Sequence, residues 1–153
     1  MLLLCVKKRI MLISRGIHVV FLIIFINNGI YGMTSGQMAP TTLEGMVSTT
    51  SPHGRDVKTQ GYPLKISELL APLPGVAYIT RQSVHKPANV RKAKKALRQA
   101  LEYQKKELGL CLVEIVSNCP SNWRMTPAQA NQYIEDKMLA FYKLGDIKVP
   151  EVK

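Results

Sequence analysis

The eight residues at 19–26, Val-Val-Phe-Leu-Ile-Ile-Phe-Ile, form an unbroken apolar run that ends in Asn27-Asn28-Gly29. An unalternating β-branched and aromatic run of this length predicts a strand buried on both faces, as in a parallel sheet covered by helices. Asn-Asn-Gly closes the strand and opens a loop. In open α/β sheets ligands sit beyond the carboxyl ends of the strands, so this loop is the first place to look for function. It offers the amide oxygen of Asn28, backbone carbonyls around Gly29 and Gly32, and the hydroxyl of Thr34. Hard oxygen ligands and hydrogen-bond donors of this kind suit a divalent cation and a phosphate group.

The rest of the chain agrees with that fold. Residues 33–61 are rich in Thr, Ser, Gly and Pro without periodicity, and a structureless stretch of that length inside a domain is usually functional. A short helix is expected over 64–70, stopped by Ala71-Pro72-Leu73-Pro74-Gly75, and a strand over 76–80. Residues 89–107 carry Val90, Ala93, Leu97, Ala100, Leu101 and Leu108 at helical spacing, with Arg and Lys filling the other face. Gly109 ends this helix and 110–116 is the next apolar strand. Thr126-Pro127-Ala128-Gln129 is a capping box with proline at the first helical position, predicting a helix to about 142. The order of elements predicts an α/β fold with a parallel sheet, without internal repeats.

At 153 residues the chain suits one domain. Its formal net charge of +11 points to an acidic partner or surface, but no nucleic-acid signature accompanies it. On the basic helix, a solvated face covering the sheet is the simpler expectation, and a dock for an acidic partner the sharper one. Three cysteines, Cys5, Cys111 and Cys119, form no close pair, which argues against a disulfide scaffold. Cys111 lies in an apolar run and is expected to be a small buried hydrophobe. Lys7, Lys8, Arg9 and Arg15 ahead of an apolar run imitate a secretory signal, but the run is too short to span a membrane. Arg81 and His85 are expected at the surface, whereas His53 and Arg55 lie in the polar loop, where they could meet phosphate or carboxylate groups.

The run from Asn27 to Gln37, with Met38-Ala39-Pro40-Thr41-Thr42 behind it, resembles the thiamine-diphosphate loop of the 2-oxoacid:ferredoxin oxidoreductase β subunit. The resemblance continues through Thr49-Thr50-Ser51-Pro52-His53-Gly54-Arg55, Gly75-Val76-Ala77-Tyr78-Ile79, and the segment from Val113 to Trp123 that contains Ser117-Asn118-Cys119-Pro120. It implies a partial doubly wound parallel sheet of the thiamine-diphosphate-binding type. On this basis 17–145 is the C-terminal part of such a domain, 1–16 is unplaced, and 146–153 is a frayed tail.

The resemblance also implies roles. Asn28 and the backbone oxygen of Ile30 would ligate Mg²⁺, while Tyr31, Gly32, Met33 and Thr34 would line the diphosphate. Ser35, where the family commonly has Gly or Lys, would lie near the substrate. Cys119 matches the last cysteine ligand of a [4Fe–4S] cluster. The complete complex, with an α subunit, would decarboxylate a 2-oxoacid, of the 2-oxoglutarate or branched-chain type. It would pass electrons to ferredoxin and the acyl group to coenzyme A, in the cytoplasm. The glutamate that activates the cofactor in such enzymes comes from another subunit, so no catalytic residue is nominated here.

Two departures stand out. The family's Mg²⁺ site also uses an upstream Asp, yet no Asp or Glu precedes Glu44 in this sequence, and the family's paired Cys-x-x-Cys is missing. The expectation is therefore the C-terminal portion of a β subunit, from a truncated or misread frame, and not an enzyme by itself. A non-catalytic remnant or subunit-interaction module is the alternative, and a small secreted basic protein a more distant one.

Overall fold

The computed structural model describes residues 2–13 and 16–150, with side chains described from Val20 onward. The apolar run becomes the second half of strand β2 (Gly16–Asn27), which lies between β1 (Leu2–Ile13) and β6 (Leu110–Val116). The sheet continues through β5 (Val76–Ser83) to β7 (Gly145–Lys148), giving the order β1-β2-β6-β5-β7. The three central strands β2, β6 and β5 are parallel, as expected, while β1 and β7 pair antiparallel on the two edges. A separate two-stranded ribbon joins β3 (Ile30–Tyr31) to β4 (Gln37–Met38).

Helix α3 (Pro87–Lys105) connects β5 to β6 and covers one face of the sheet. Proline occupies its first turn, where its missing N–H costs nothing. Its buried stripe is Ala93, Ala96, Ala100 and Gln104, so small residues bring the helix close to Leu22, Tyr78, Cys111 and Val113. Leu101 and Leu108, expected on the apolar face, are 45 % and 43 % exposed. The reason is geometric: the alanines form the buried stripe of the helix, and Leu108 lies beyond its end at Lys105. The basic residues from Arg91 to Arg98 are exposed, in line with a solvated face. Cys111 is fully buried, as expected.

Two short helices, α1 (Val57–Gln60) and α4 (Pro120–Trp123), lie in the segments between strands, and the opposite face carries α2 (Ile66–Leu70) and the C-terminal helix. That last element starts as α5 (Pro127–Tyr133) behind the predicted capping box, with Thr126 Oγ1 accepting from Gln129 N at 3.3 Å. It then passes through a π-helical turn (Ile134–Met138) into α6 (Leu139–Phe141). Ile134, Met138 and Tyr142 pack with Ile30, Leu43, Met46, Val116 and Trp123. This cluster seats the polar loop on the strand ends.

Part of the tail expected to fray is instead the edge strand β7, which zips onto β5 through Thr80↔Asp146 and Arg81↔Gly145. Residues 151–153 lie outside the described residues, as do Met1 and 14–15. No described helix is long and apolar enough to cross a membrane.

Candidate cofactor site at the strand ends

Strands β2 and β6 end side by side, with Asn27 in register with Val116 and Ser117 N donating to Asn27 O at 3.0 Å. The segments leaving these two strands therefore start as neighbours, and they stay in contact. Trp123 Nε1 donates to Asn28 O at 3.2 Å. Asn122 Nδ2 donates to Gly32 O at 3.2 Å and to Cys119 Sγ at the same distance. A Cβ added to Gly32 would meet Cys119 Sγ at 3.2 Å and Asn28 Nδ2 at 3.4 Å. Glycine at 32 is what lets Asn28, Cys119 and Asn122 close around one backbone segment.

The loop itself is a tight, prebuilt structure. Asn27 Oδ1 accepts from Gly29 N at 3.1 Å and Asn28 Oδ1 from Ile30 N at 3.3 Å, two successive Asx turns. Gly29 has φ +64°, which an L side chain rarely adopts, and Gly32–Thr34 forms a 3₁₀ turn closed by Ser35 at φ +73°. Tyr31 and Gly32 are half-buried, whereas Met33, Thr34 and Ser35 are exposed. Thr34 Oγ1 donates to Gln37 Oε1 at 3.0 Å.

The structure thus gathers Asn28, Ile30, Tyr31, Gly32, Met33, Thr34, Ser35 and Cys119 at one corner. Successive turns, with glycines at positions of positive φ or close approach, give this corner a fixed shape. Asn28 offers an oxygen ligand, but no carboxylate precedes Glu44 in the sequence, and Glu44 is exposed. Among the described residues, no group of three or more His, Cys, Asp or Glu is placed to hold a metal ion. Mg²⁺ fits this corner only with a carboxylate from elsewhere. A [4Fe–4S] cluster does not fit the described thiols. Cys119 is half-buried at the loop, whereas Cys111 is sealed under α3 on the other face of the sheet.

Beneath the loop lies a buried ionic network that sequence reasoning missed. Glu114 is fully buried and accepts from Asn27 Nδ2 at 2.7 Å, from Arg81 Nε at 2.8 Å, and from Ser67 Oγ. Arg81, also fully buried, extends to Glu68 with bonds of 2.8 and 2.5 Å and lies over the Tyr142 ring. Burial pulls the Arg81 guanidinium down, but Glu68 and Glu114 together hold it above its ordinary value. Arg81 hydrogen bonds hold the Glu68 carboxyl below its ordinary value. Asn27 joins this network to the loop, since its other amide atom receives Gly29 N.

Arg81 is therefore not the expected surface residue. It lies on an inward position of β5 opposite Glu114 of β6, and the ion pair makes burial tolerable. His85 is buried too, with Nδ1 3.1 Å from Ser83 Oγ. Arg55 does not reach a phosphate site. Its guanidinium donates to the carbonyls of Ala39, Pro40, Thr42, Gln60, Gly61 and Tyr62, at 2.7 to 3.3 Å, and staples the two ends of the polar loop. Burial lowers its pKa. The one signal in the sequence for the network was a charged residue inside each of two apolar strands, Arg81 and Glu114.

Comparison with known proteins identifies the family. Residues 9–115 match the family described as thiamine pyrophosphate enzyme, C-terminal TPP binding domain. The chain is 46 % identical over 116 residues to ketoisovalerate oxidoreductase subunit VorA of Methanothermobacter marburgensis, covering 76 % of this chain and 24 % of that protein. It is 32 % identical over 130 residues to 2-oxoglutarate synthase subunit KorB of Archaeoglobus fulgidus, covering 85 % of this chain and 43 % of the relative. A solved 2-oxoglutarate:ferredoxin oxidoreductase from Magnetococcus marinus superposes with a TM-score of 0.56 at 20 % identity, covering 89 % of this chain and 49 % of that one. That likeness carries the fold alone. The chain spans about a quarter of the length of the VorA relative.

Proposed function

This chain belongs to the thiamine pyrophosphate enzyme family, in its C-terminal TPP-binding domain, and on that premise we propose that it supplies the diphosphate-holding corner of a 2-oxoacid:ferredoxin oxidoreductase. The observation that carries the reading is the convergence of Asn28, Gly32, Cys119, Asn122 and Trp123 where β2 and β6 end. Thiamine diphosphate, when bound, supplies the carbanion chemistry for oxidative decarboxylation of a 2-oxoacid. The chain's own residues hold and orient. Asn28 and the Ile30 carbonyl would hold Mg²⁺, Tyr31 to Thr34 would line the diphosphate, and Ser35 would lie near the substrate. Cys119 enters the proposal as one ligand of a cluster that thiolates from other segments would complete.

A branched-chain 2-oxoacid is the preferred substrate class, because identity is higher to the ketoisovalerate subunit than to the 2-oxoglutarate subunits. Partner subunits, ferredoxin and coenzyme A complete the proposed reaction, in the cytoplasm. The test is calorimetric titration of Mg²⁺ and thiamine diphosphate into the chain assembled with its partner subunits. Saturable binding is expected, weakened about tenfold or more by Asn28→Ala, the loss of one charge-assisted ligand. Absence of thiamine diphosphate binding in the assembled complex refutes the reading. It would favour a non-catalytic subunit-interaction module.

A further inference from the structure

Asn122 lies on the single turn of α4, three residues after its N-cap Cys119, so the two side chains share one side of that turn. Its amide nitrogen donates one proton to Gly32 O and the other to Cys119 Sγ, both at 3.2 Å. A carbonyl oxygen can only accept, so the nitrogen of this amide must be the atom that faces Gly32. The rest of the amide lies against Gly36. A Cβ added there would meet Asn122 Oδ1 at 2.9 Å and its Cβ and Cγ at 3.4 Å, and one added to Gly32 would meet Asn122 Nδ2 at 3.3 Å. The space that side chains at 32 and 36 would take is the space that Asn122 occupies. Its neighbour Trp123 holds Asn28 O, so two consecutive residues beyond β6 grip the loop after β2 by two carbonyls.

The consequence lies at the far end of the same peptide unit. No peptide bond among the described residues is cis. In a trans peptide the carbonyl and the N–H that follows it point in opposite directions. Drawing the Gly32 carbonyl toward Asn122 therefore turns the Met33 N–H away from Asn122, in the segment where Met33, Thr34 and Ser35 are exposed. The turn closes on itself through Gly36 N donating to Tyr31 O at 3.0 Å. Asn122 braces that closed turn at its two glycines, the residues with the most backbone freedom to lose.

We propose that Asn122 is a positioning residue for the 31–36 loop, setting the orientation of the Gly32–Met33 peptide from the end of the neighbouring strand. It acts through the backbone of the loop, and Cys119 orients its amide in turn by accepting the second proton. This role concerns the chain's own contacts. Its bearing on diphosphate binding rests on the thiamine diphosphate reading.

Hydrogen exchange of the full chain, read by mass spectrometry over 31–38 with β5 and β6 as internal references, tests the role. Asn122→Leu and Asn122→Asp keep roughly the size of the side chain and lose both donors. Each should raise exchange over 31–38 about fivefold or more, the loss of one hydrogen bond, and leave β5 and β6 unchanged. Asn122→Ala should do the same. Three results would overturn the proposal. One is native exchange over 31–38 in all three variants. Another is a rise in Asn122→Ala alone, which would make the residue a space filler. The third is an equal rise in β5 and β6, which would make its contribution one of general stability. In the assembled complex, Asn122→Leu should weaken thiamine diphosphate binding about fivefold to tenfold, with no new charge to repel the ligand. Unchanged binding there would overturn the link from this loop to the diphosphate. A native complex that binds no thiamine diphosphate would instead refute the diphosphate reading, and the exchange result would still decide the role of Asn122.

Discussion

Replacing Arg81 by methionine tests whether the buried network governs both the stability of the sheet and the set of the loop. The substitution keeps an unbranched apolar stem and removes the guanidinium with its charge and donors. Glu114 would lose its Nε partner at 2.8 Å while remaining fully buried, with only Asn27 and Ser67 left to it. Breaking a buried pair from one side costs about 3–5 kcal/mol, because the surviving charge stays desolvated. Glu68 adds little to that figure. Its side chain is 41 % exposed, so water takes over most of what Arg81 provided, and a share of about 0–1 kcal/mol is appropriate.

Arg81→Met should therefore cost about 3–5 kcal/mol, a large part of the roughly 5–15 kcal/mol that holds a domain of ordinary stability. Urea unfolding followed by Trp123 fluorescence and by far-ultraviolet circular dichroism measures it, as a shift in midpoint at constant slope. The double variant Arg81→Met, Glu114→Gln removes the stranded charge and should recover at least about half of the loss. A cost below about 1 kcal/mol would refute the reasoning, as would a double variant no more stable than the single one. Glu114 would then be compensated by something other than Arg81. Because Asn27 bridges Glu114 and Gly29, the single variant should also weaken thiamine diphosphate binding in the assembled complex.

The pH dependence has a definite sign. Arg81 holds Glu68 below its ordinary value of 4.5, so the contribution of this carboxylate is complete above that pH and drains away as pH falls through the lower folded value. Between about pH 5 and pH 3 the urea midpoint of the native chain should fall more steeply than that of Glu68→Gln. Equal slopes would show that the pair contributes nothing. Arg55→Lys should cost about 2–3 kcal/mol despite keeping the charge, since one ammonium cannot serve six carbonyls drawn from both ends of the loop. Lower thermal stability together with faster proteolysis within 39–62 would bear this out, and native-like resistance would argue against it.

The local grammar of the chain was legible where neighbours in sequence are neighbours in space. The strand expected over 110–116 is found there, and the helix expected over 89–107 appears two residues earlier. The capping box at Thr126 closes as written, because its partners lie three residues apart. The loop after Asn27 was legible for a different reason. Its motif demands glycines at fixed places, and the structure shows why at Gly29, by its positive φ, and at Gly32, by the crowding of Cys119 and Asn28. What misled the reading was composition taken as location. An arginine in a short strand looks like a surface residue until its partner is known.

That partner is a matter of tertiary structure alone. Arg81 and Glu114 are 33 residues apart, and only the parallel register of β5 on β6 sets one opposite the other. The same pairing logic placed β7 on the edge of β5, from a segment with too few residues to carry a pattern of its own. It also brought Cys119, Asn122 and Trp123 from one strand end onto the loop of another. The sequence by itself determined which of these segments are strand, helix and loop, because propensity, capping and apolar periodicity act over a few residues. The fold decided which charges are buried and which donors are spent on backbone. Burial and pairing depend on residues far apart in the chain meeting at the ends of neighbouring strands.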